Sequence, residues 1–197
     1  DRKELVTLSG KFEKYGQVWS ADTTSFAIET WAIKRGTNLF HHYRELHRLL
    51  WPNDPEHKWT DLVLQEFTDL VEKRRRGMLG LIGPASTGKT FSAAKFALSH
   101  YFVYPDETTV LITTTTIQKL DLGIFGEAKK LFMEARDVED TVPGVVLDYK
   151  RCITTDREHE NDVRDIRNGV IGIACYKGEQ WIGIGPFVGI KNKYVFL

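Results

Sequence analysis

Cysteine is scarce in this sequence. The chain holds two, Cys152 and Cys175, and no Cys-x-x-Cys pair. Neither a disulfide framework nor a zinc knuckle is expected, and a reducing cytoplasm suits such a chain. The six histidines (His41, His42, His47, His57, His100 and His159) show neither HExxH nor Cys/His ligand spacing. An excess of charge of one sign is also missing, because 27 basic residues balance 27 acidic ones. A net charge of zero argues against holding nucleic acid by bulk charge, though it leaves room for a local basic groove. No apolar run approaches the roughly 18 residues that a membrane-spanning helix needs. No internal repeat or low-complexity tract is present. The first residue is Asp1 and no signal peptide is visible, so the chain is expected to be a fragment.

What is there is ordinary globular composition, with 42% hydrophobic and 27% charged residues. General disorder, collagen-like repeats and a coiled coil are excluded on that ground. A length of 197 residues suggests one domain or two small ones. A chain of this size buries about 70% of its unfolded surface, so a true core is expected.

Residues 1–37 form an N-terminal extension whose pattern is consistent with short strands or with irregular structure. Residues 38–77 read as a helical segment leading into the core. Asn38 is placed to cap a helix with Leu39, Tyr43, Leu46, Leu49 and Leu50 on one face. Trp51-Pro52 ends it. Thr60 is expected to cap a second helix carrying Val63, Leu64, Phe67, Leu70 and Val71, which finishes in Lys73-Arg74-Arg75-Arg76-Gly77.

Residues 78–197 alternate strand and helix signals. Met78-Leu79-Gly80-Leu81-Ile82 reads as a buried strand, and a helix is expected to run from about Lys89 to just before Pro105. Residues 109–113 read as a strand, 118–135 as a helix, and 145–149, 170–174 and 194–197 as strands. The stretch 154–168 is charged and expected at the surface. Alternation of this kind implies right-handed crossovers and a mainly parallel sheet flanked by helices, an α/β fold.

One motif carries chemistry. Gly83-Pro84-Ala85-Ser86-Thr87-Gly88-Lys89-Thr90 fits GxxxxGK[ST] at every position. A chance match in a chain of this composition has a probability of roughly 1%. The physics asks for each part. Glycines let the loop wrap phosphate oxygens where a β-carbon would clash or φ is positive. Successive N–H groups form an anion nest, and the following helix adds its N-terminal dipole. Lys89 would neutralise charge on the β/γ-phosphates, and the Thr90 hydroxyl would be a Mg²⁺ ligand. Phe91, next in line, is counted with the loop as a nucleotide contact. The bland alternative is an ordinary Gly-rich turn between strand and helix.

An ATPase also needs an acid at a strand end to hold the metal and polarise water. Asp148 follows an apolar stretch but is followed by Tyr149-Lys150, and residues 170–175 end in no acid. Tyr194-Val195-Phe196-Leu197 is the best lead-in. The acidic pair is therefore expected just past Leu197, with Asp148 as the weaker option.

Four stretches resemble the ATPase domain of the large terminase subunit of tailed bacteriophages. They are residues 83–94, residues 104–115 (Tyr104-Pro105-Asp106-Glu107 and the strand after it), residues 124–132 around Phe125-Gly126-Glu127, and residues 187–193. The resemblance covers about 78–197, and only the first stretch is a strong motif. It implies a RecA-like P-loop NTPase of the additional-strand type, cut before its Walker B acids and lacking the C-terminal nuclease domain. It implies ATP and Mg²⁺ as cofactors, with Lys89 and Thr90 as catalytic groups. It implies a homo-oligomeric ring on a portal protein in the host cytoplasm, working with a small terminase subunit to drive double-stranded DNA into a procapsid. The sequence departs from the pattern in one place: many terminases carry a basic residue early in the loop, where Pro84-Ala85-Ser86 supplies none.

Other residues have two readings each. The basic cluster 73–76 is a solvated helix end or a contact to DNA or nucleotide. Threonines 113–116 follow a strand, at the edge where ligands bind in open α/β sheets, or merely cap the next helix. Glu127 reads as a surface helix residue. Arg151, Arg157, Arg164 and Arg167 are solvated, or one of them is an arginine finger. Trp51, Trp59 and Tyr43 are packing residues, or one of them stacks on adenine. Both cysteines read as small buried hydrophobes. Two further functional classes stay open: another P-loop enzyme such as a helicase or nucleotide kinase, and a nucleotide-binding piece without turnover.

Overall fold

The computed structural model describes residues 38–54, 57–73, 77–140, 142–156, 166, 168–177, 180–181 and 194–196. The expectations for residues 1–37, for 74–76, for most of 154–168 and for 187–193 lie outside the described residues.

Helix α1 spans Leu39–Leu50, as the spacing predicts. The Asn38 side chain accepts from the His41 N–H at 3.0 Å, which satisfies one of the helix's orphan donors. Helix α2 spans Lys58–Glu72. It begins two residues before the expected cap. His57 occupies the cap position, and the Thr60 hydroxyl donates to the His57 carbonyl at 2.6 Å from within the first turn. Helix α3, Lys89–Val103, is buried on nearly every side: Ser92, Ala94, Lys95, Phe96 and all of 98–103 are covered. It packs against α1, α2 and the sheet, so it has no solvent face to keep polar.

Strand β1 is Thr108–Thr114. The expected helix at 118–135 is two helices, α4 (Ile117–Leu122) and α5 (Ile124–Val138). Close packing forces the break. A β-carbon on Gly123 would lie 2.4 Å from the Lys119 carbonyl oxygen, and one on Gly126 would lie 2.0 Å from that of Asp121. Only glycine lets the two helices fold so tightly on each other. α5 then packs along α3 and α1, and the Trp51 indole donates to the Leu131 carbonyl at 2.9 Å.

Strands β2 (Val145–Leu147), β3 (Cys152–Thr154), β4 (Gly169–Ala174) and β7 (Tyr194–Phe196) join β1 in one sheet of order β2-β3-β4-β1-β7. A short ribbon of β5 (Tyr176–Lys177) and β6 (Gln180–Trp181) stands apart from it. β1 pairs in parallel with β4 and β7, whereas β3 is antiparallel to both β2 and β4. The sheet is therefore mixed rather than mainly parallel. The difference comes from β3, three residues long and reached from β2 through a 3-10 turn at Asp148–Lys150. So short a link cannot make the long crossover that a parallel neighbour requires.

A second expectation also changes. Met78-Leu79-Gly80-Leu81-Ile82 is not a buried strand. Among the described residues it pairs with no strand, and Met78 and Ile82 are fully exposed. Both edges of β1 are already taken, by β4 and β7, so the segment has no ladder beside that strand. The main core lies between sheet and helices, with Tyr43, Leu98, Phe102, Phe132 and Val170 fully buried in it.

Candidate functional site

Direction fixes where the motif lies. α3 packs on β1 and joins it through the four residues 104–107, so it must run back along the strand. Its N-terminus and the loop 83–88 therefore sit toward the edge where β1 and its parallel partner β4 end. That edge is where open α/β sheets bind ligands.

The loop itself is exposed from Gly83 to Gly88. Ser86 and Gly88 both have left-handed backbone, with φ of 60° and 75°. Positive φ at such positions is the backbone feature that an anion nest draws on. A β-carbon at Gly83 would lie 3.6 Å from the Thr87 hydroxyl and 4.0 Å from the Lys89 ammonium, so it would point into the loop's own interior. Gly88 caps α3 and its carbonyl accepts the first helical bond, from the Ser92 N–H at 2.8 Å.

Lys89 is turned into the loop. Its ammonium donates to the Gly83 carbonyl at 2.8 Å, to the Pro84 carbonyl and to the Thr87 hydroxyl at 3.0 Å. The Thr87 hydroxyl in turn donates to the Pro84 carbonyl at 3.0 Å. The cation thus occupies the mouth of the nest, where a polyphosphate oxygen would compete with carbonyls for it. Thr90 is exposed on the first turn, and Phe91 is half-buried behind it. Positive φ at Ser86 and Gly88, a cation turned into the loop and an exposed hydroxyl fit the triphosphate and Mg²⁺ implied by the motif. Pro84, Ala85 and Ser86 contribute backbone rather than charge.

Two helices back the loop. Trp59, half-buried in the first turn of α2, lies 3.5 Å from the place of a β-carbon on Gly88. Eight residues further along each helix, Phe67 stacks on Phe96 with ring centroids 5.7 Å apart. Equal steps mean that α2 and α3 run side by side in the same direction, so both begin at the loop. Behind α3, Lys95 pairs with Asp54 at 2.7 Å, with its ammonium between the rings of Trp51 and Phe91 at 5.1 and 5.3 Å. His47 bonds the Ser99 hydroxyl at 2.7 Å, and Tyr43 bonds His100 at 2.5 Å. Burial, with Lys95 adding to it, holds His47 well below its usual pKa. Sequence reasoning did not find the Lys95–Asp54 pair, because 41 residues separate the partners and no motif links them.

The remaining candidates separate clearly. Tyr43 and Trp51 are buried and hydrogen-bonded, so of the three proposed aromatic platforms only Trp59 stands at the loop. Arg151 is held by Asp121, with its guanidinium Nε and Nη2 at 2.6 and 2.8 Å from the two carboxylate oxygens. That guanidinium is engaged within its own chain. Asp148 pairs with Lys129 at 2.5 Å and follows edge strand β2, three strand spacings or about 14 Å across the sheet from β1. Glu127 lies on the first turn of α5 near Lys130, as a surface residue would. Thr116 caps α4, its hydroxyl accepting from the Lys119 N–H at 3.2 Å, and the Thr114 carbonyl accepts from the Cys175 N–H at 2.7 Å. Cys152 is buried, with its thiol pushed up to about 12 by desolvation, whereas Cys175 is only half-buried.

Among the described residues no group of three or more His, Cys, Asp or Glu side chains is placed to hold a metal ion, and no helix is long and apolar enough to cross a membrane. Comparison with family models, curated proteins and solved structures gives no match for this chain.

Proposed function

We propose that the chain binds a nucleoside triphosphate at residues 83–91 and serves as the ATPase core of a DNA-translocating motor of the terminase type. One observation carries the nucleotide reading. The only complete phosphate-loop motif in the sequence opens the central helix α3, at the carboxyl edge of the parallel strands, with the Lys89 ammonium turned into the loop. When bound, Mg-ATP supplies the phosphoanhydride bond whose hydrolysis would power movement. The chain's residues do the binding. The N–H groups of 85–88 cradle phosphate oxygens, Lys89 exchanges carbonyl partners for them, and Thr90 offers its hydroxyl to the metal. α3 connects this site rigidly to α1, α2 and α5, so movement of the loop would be felt by the helical layer.

The motor reading rests on the four stretches of resemblance and proposes double-stranded DNA, a portal protein, a small terminase subunit and a ring of like subunits as partners. Its test is hydrolysis by the full-length protein with and without double-stranded DNA. Stimulation by duplex supports a translocase. Turnover indifferent to every nucleic acid favours a different P-loop enzyme, such as a nucleotide kinase. A second reading, binding without turnover by these 197 residues alone, is favoured by Asp148, which Lys129 engages across the sheet from the loop. Purified chain is then expected to bind Mg-ATP weakly and hydrolyse it negligibly, and steady hydrolysis would contradict that.

A further inference from the structure

We infer that Trp59 is the platform for the base of the bound nucleotide and that it makes the site prefer purine nucleoside triphosphates. The inference rests on the phosphate-loop reading and adds to it a residue outside the motif. A phosphate nest reads only phosphate, because backbone N–H groups and one ammonium cannot tell one base from another. Discrimination has to come from side chains beside the loop.

Among the described residues two aromatic rings lie near the loop, and Phe91 has its ring against the Lys95 ammonium, which leaves Trp59. Trp59 is in van der Waals reach of Gly88, the left-handed glycine that opens α3. It is half-buried, so part of its indole is covered and part remains open to a ligand. The two other aromatic candidates are sealed in the core by their own hydrogen bonds. The α2/α3 register fixes Trp59 at this place. With Phe67 stacked on Phe96 two turns below, α2 cannot slide without breaking that stack, so the indole stays level with the loop. Tryptophan presents the largest aromatic face of any side chain, and a stacked base gains from area whatever its hydrogen-bonding edge. A bicyclic purine covers more of the indole than a pyrimidine does.

Calorimetric titration of the chain with Mg-ATP, Mg-UTP and inorganic tripolyphosphate with Mg²⁺ tests the inference. The wild type should bind Mg-ATP several-fold more tightly than Mg-UTP. Trp59→Ala should weaken Mg-ATP about ten-fold, the loss expected for one base–aromatic stack, and remove the preference over Mg-UTP. Tripolyphosphate affinity should be unchanged, which also shows that the variant is folded. Trp59→Phe should recover most of the ATP affinity. If Trp59→Ala does not fold, Trp59→Leu keeps an apolar filler against Gly88 while removing the aromatic face, and the same loss is expected. Equal weakening of ATP and tripolyphosphate would overturn the inference, since Trp59 would then only shape the loop. Unchanged binding of all three ligands would overturn it too. Failure of the wild type to bind even tripolyphosphate would overturn the phosphate-loop reading itself, a result distinguishable from loss of the platform alone.

Discussion

Lys95 and Asp54 form a largely buried ion pair, 2.7 Å long, that ties the helix behind the phosphate loop to the turn after α1. Their side chains are 10% and 24% exposed, so each charge depends on the other in place of water. Removing one partner leaves the second poorly solvated, at a cost of several kcal/mol in a fully buried setting. With this residual exposure, Asp54→Asn or Lys95→Met should cost about 2 kcal/mol, read from urea unfolding midpoints. Replacing both should cost less than the sum of the singles, because no uncompensated charge remains. An additive double variant would show that the pair is not coupled.

Acid should unfold the protein through its buried histidines. His42 is 1% exposed, and burial lowers its pKa to about 3; His47 is lowered by burial and by Lys95. Each is then neutral in the fold where the unfolded chain would bind a proton below about 6.5. Stability is therefore fully present above pH 6.5 and falls as the pH drops from there toward 3. The slope should approach about 1.4 kcal/mol per pH unit for each such histidine. His42→Gln should flatten that slope, measured by denaturant unfolding between pH 4 and 7.

Gly88 needs its left-handed backbone, with φ of 75°, at the point where the loop becomes helix α3. Gly88→Ala should cost about 1 kcal/mol of stability, because a β-carbon there crowds the following carbonyl. The Trp59 contact adds little, since 3.5 Å is an ordinary separation. Nucleotide affinity should fall more than stability does, as the strain is relieved by opening the nest. Unaltered affinity would mean that the nest does not bind phosphate.

Arg151 combines a left-handed backbone, with φ of 51°, and a two-pronged bond to Asp121. The pair is partly exposed, at 28% and 44%. Arg151→Ala should cost about 1 kcal/mol, and added salt should narrow the difference. Arg151→Gly should be milder, since glycine adopts this conformation freely. Nucleotide hydrolysis by the full-length protein should not change in either variant. A large fall in turnover with unchanged stability would instead make Arg151 an arginine finger.

Much of the helical layer was legible in the sequence because its signals are local. Asn38, Trp51-Pro52 and Gly88-Lys89 each mark a boundary through the chemistry of one or two residues. The sheet was harder. Strand β3 is three residues between turns, too short for any periodicity, and it turns a parallel expectation into a mixed sheet. Met78-Leu79-Gly80-Leu81-Ile82 looks like a buried strand by composition, but burial depends on a neighbour that composition does not supply. The Gly123 break depends on how close α4 and α5 pack, which periodicity does not report. At the candidate site the loop was readable as a motif. The choice of Trp59 over Trp51 and Tyr43 required the fold, because all three are aromatic residues upstream of the loop.

Titration of Mg-ATP into the wild-type chain and into Lys89→Ala tests nucleotide binding at residues 83–91 most directly. Among the described residues the Lys89 ammonium bonds atoms of the loop itself, so its truncation should leave the fold intact. Nucleotide binding at the loop predicts saturable one-to-one binding to the wild type and its loss, by at least ten-fold, in Lys89→Ala with an unchanged unfolding midpoint. Equal affinity in the two proteins, or no binding to the wild type, would contradict it.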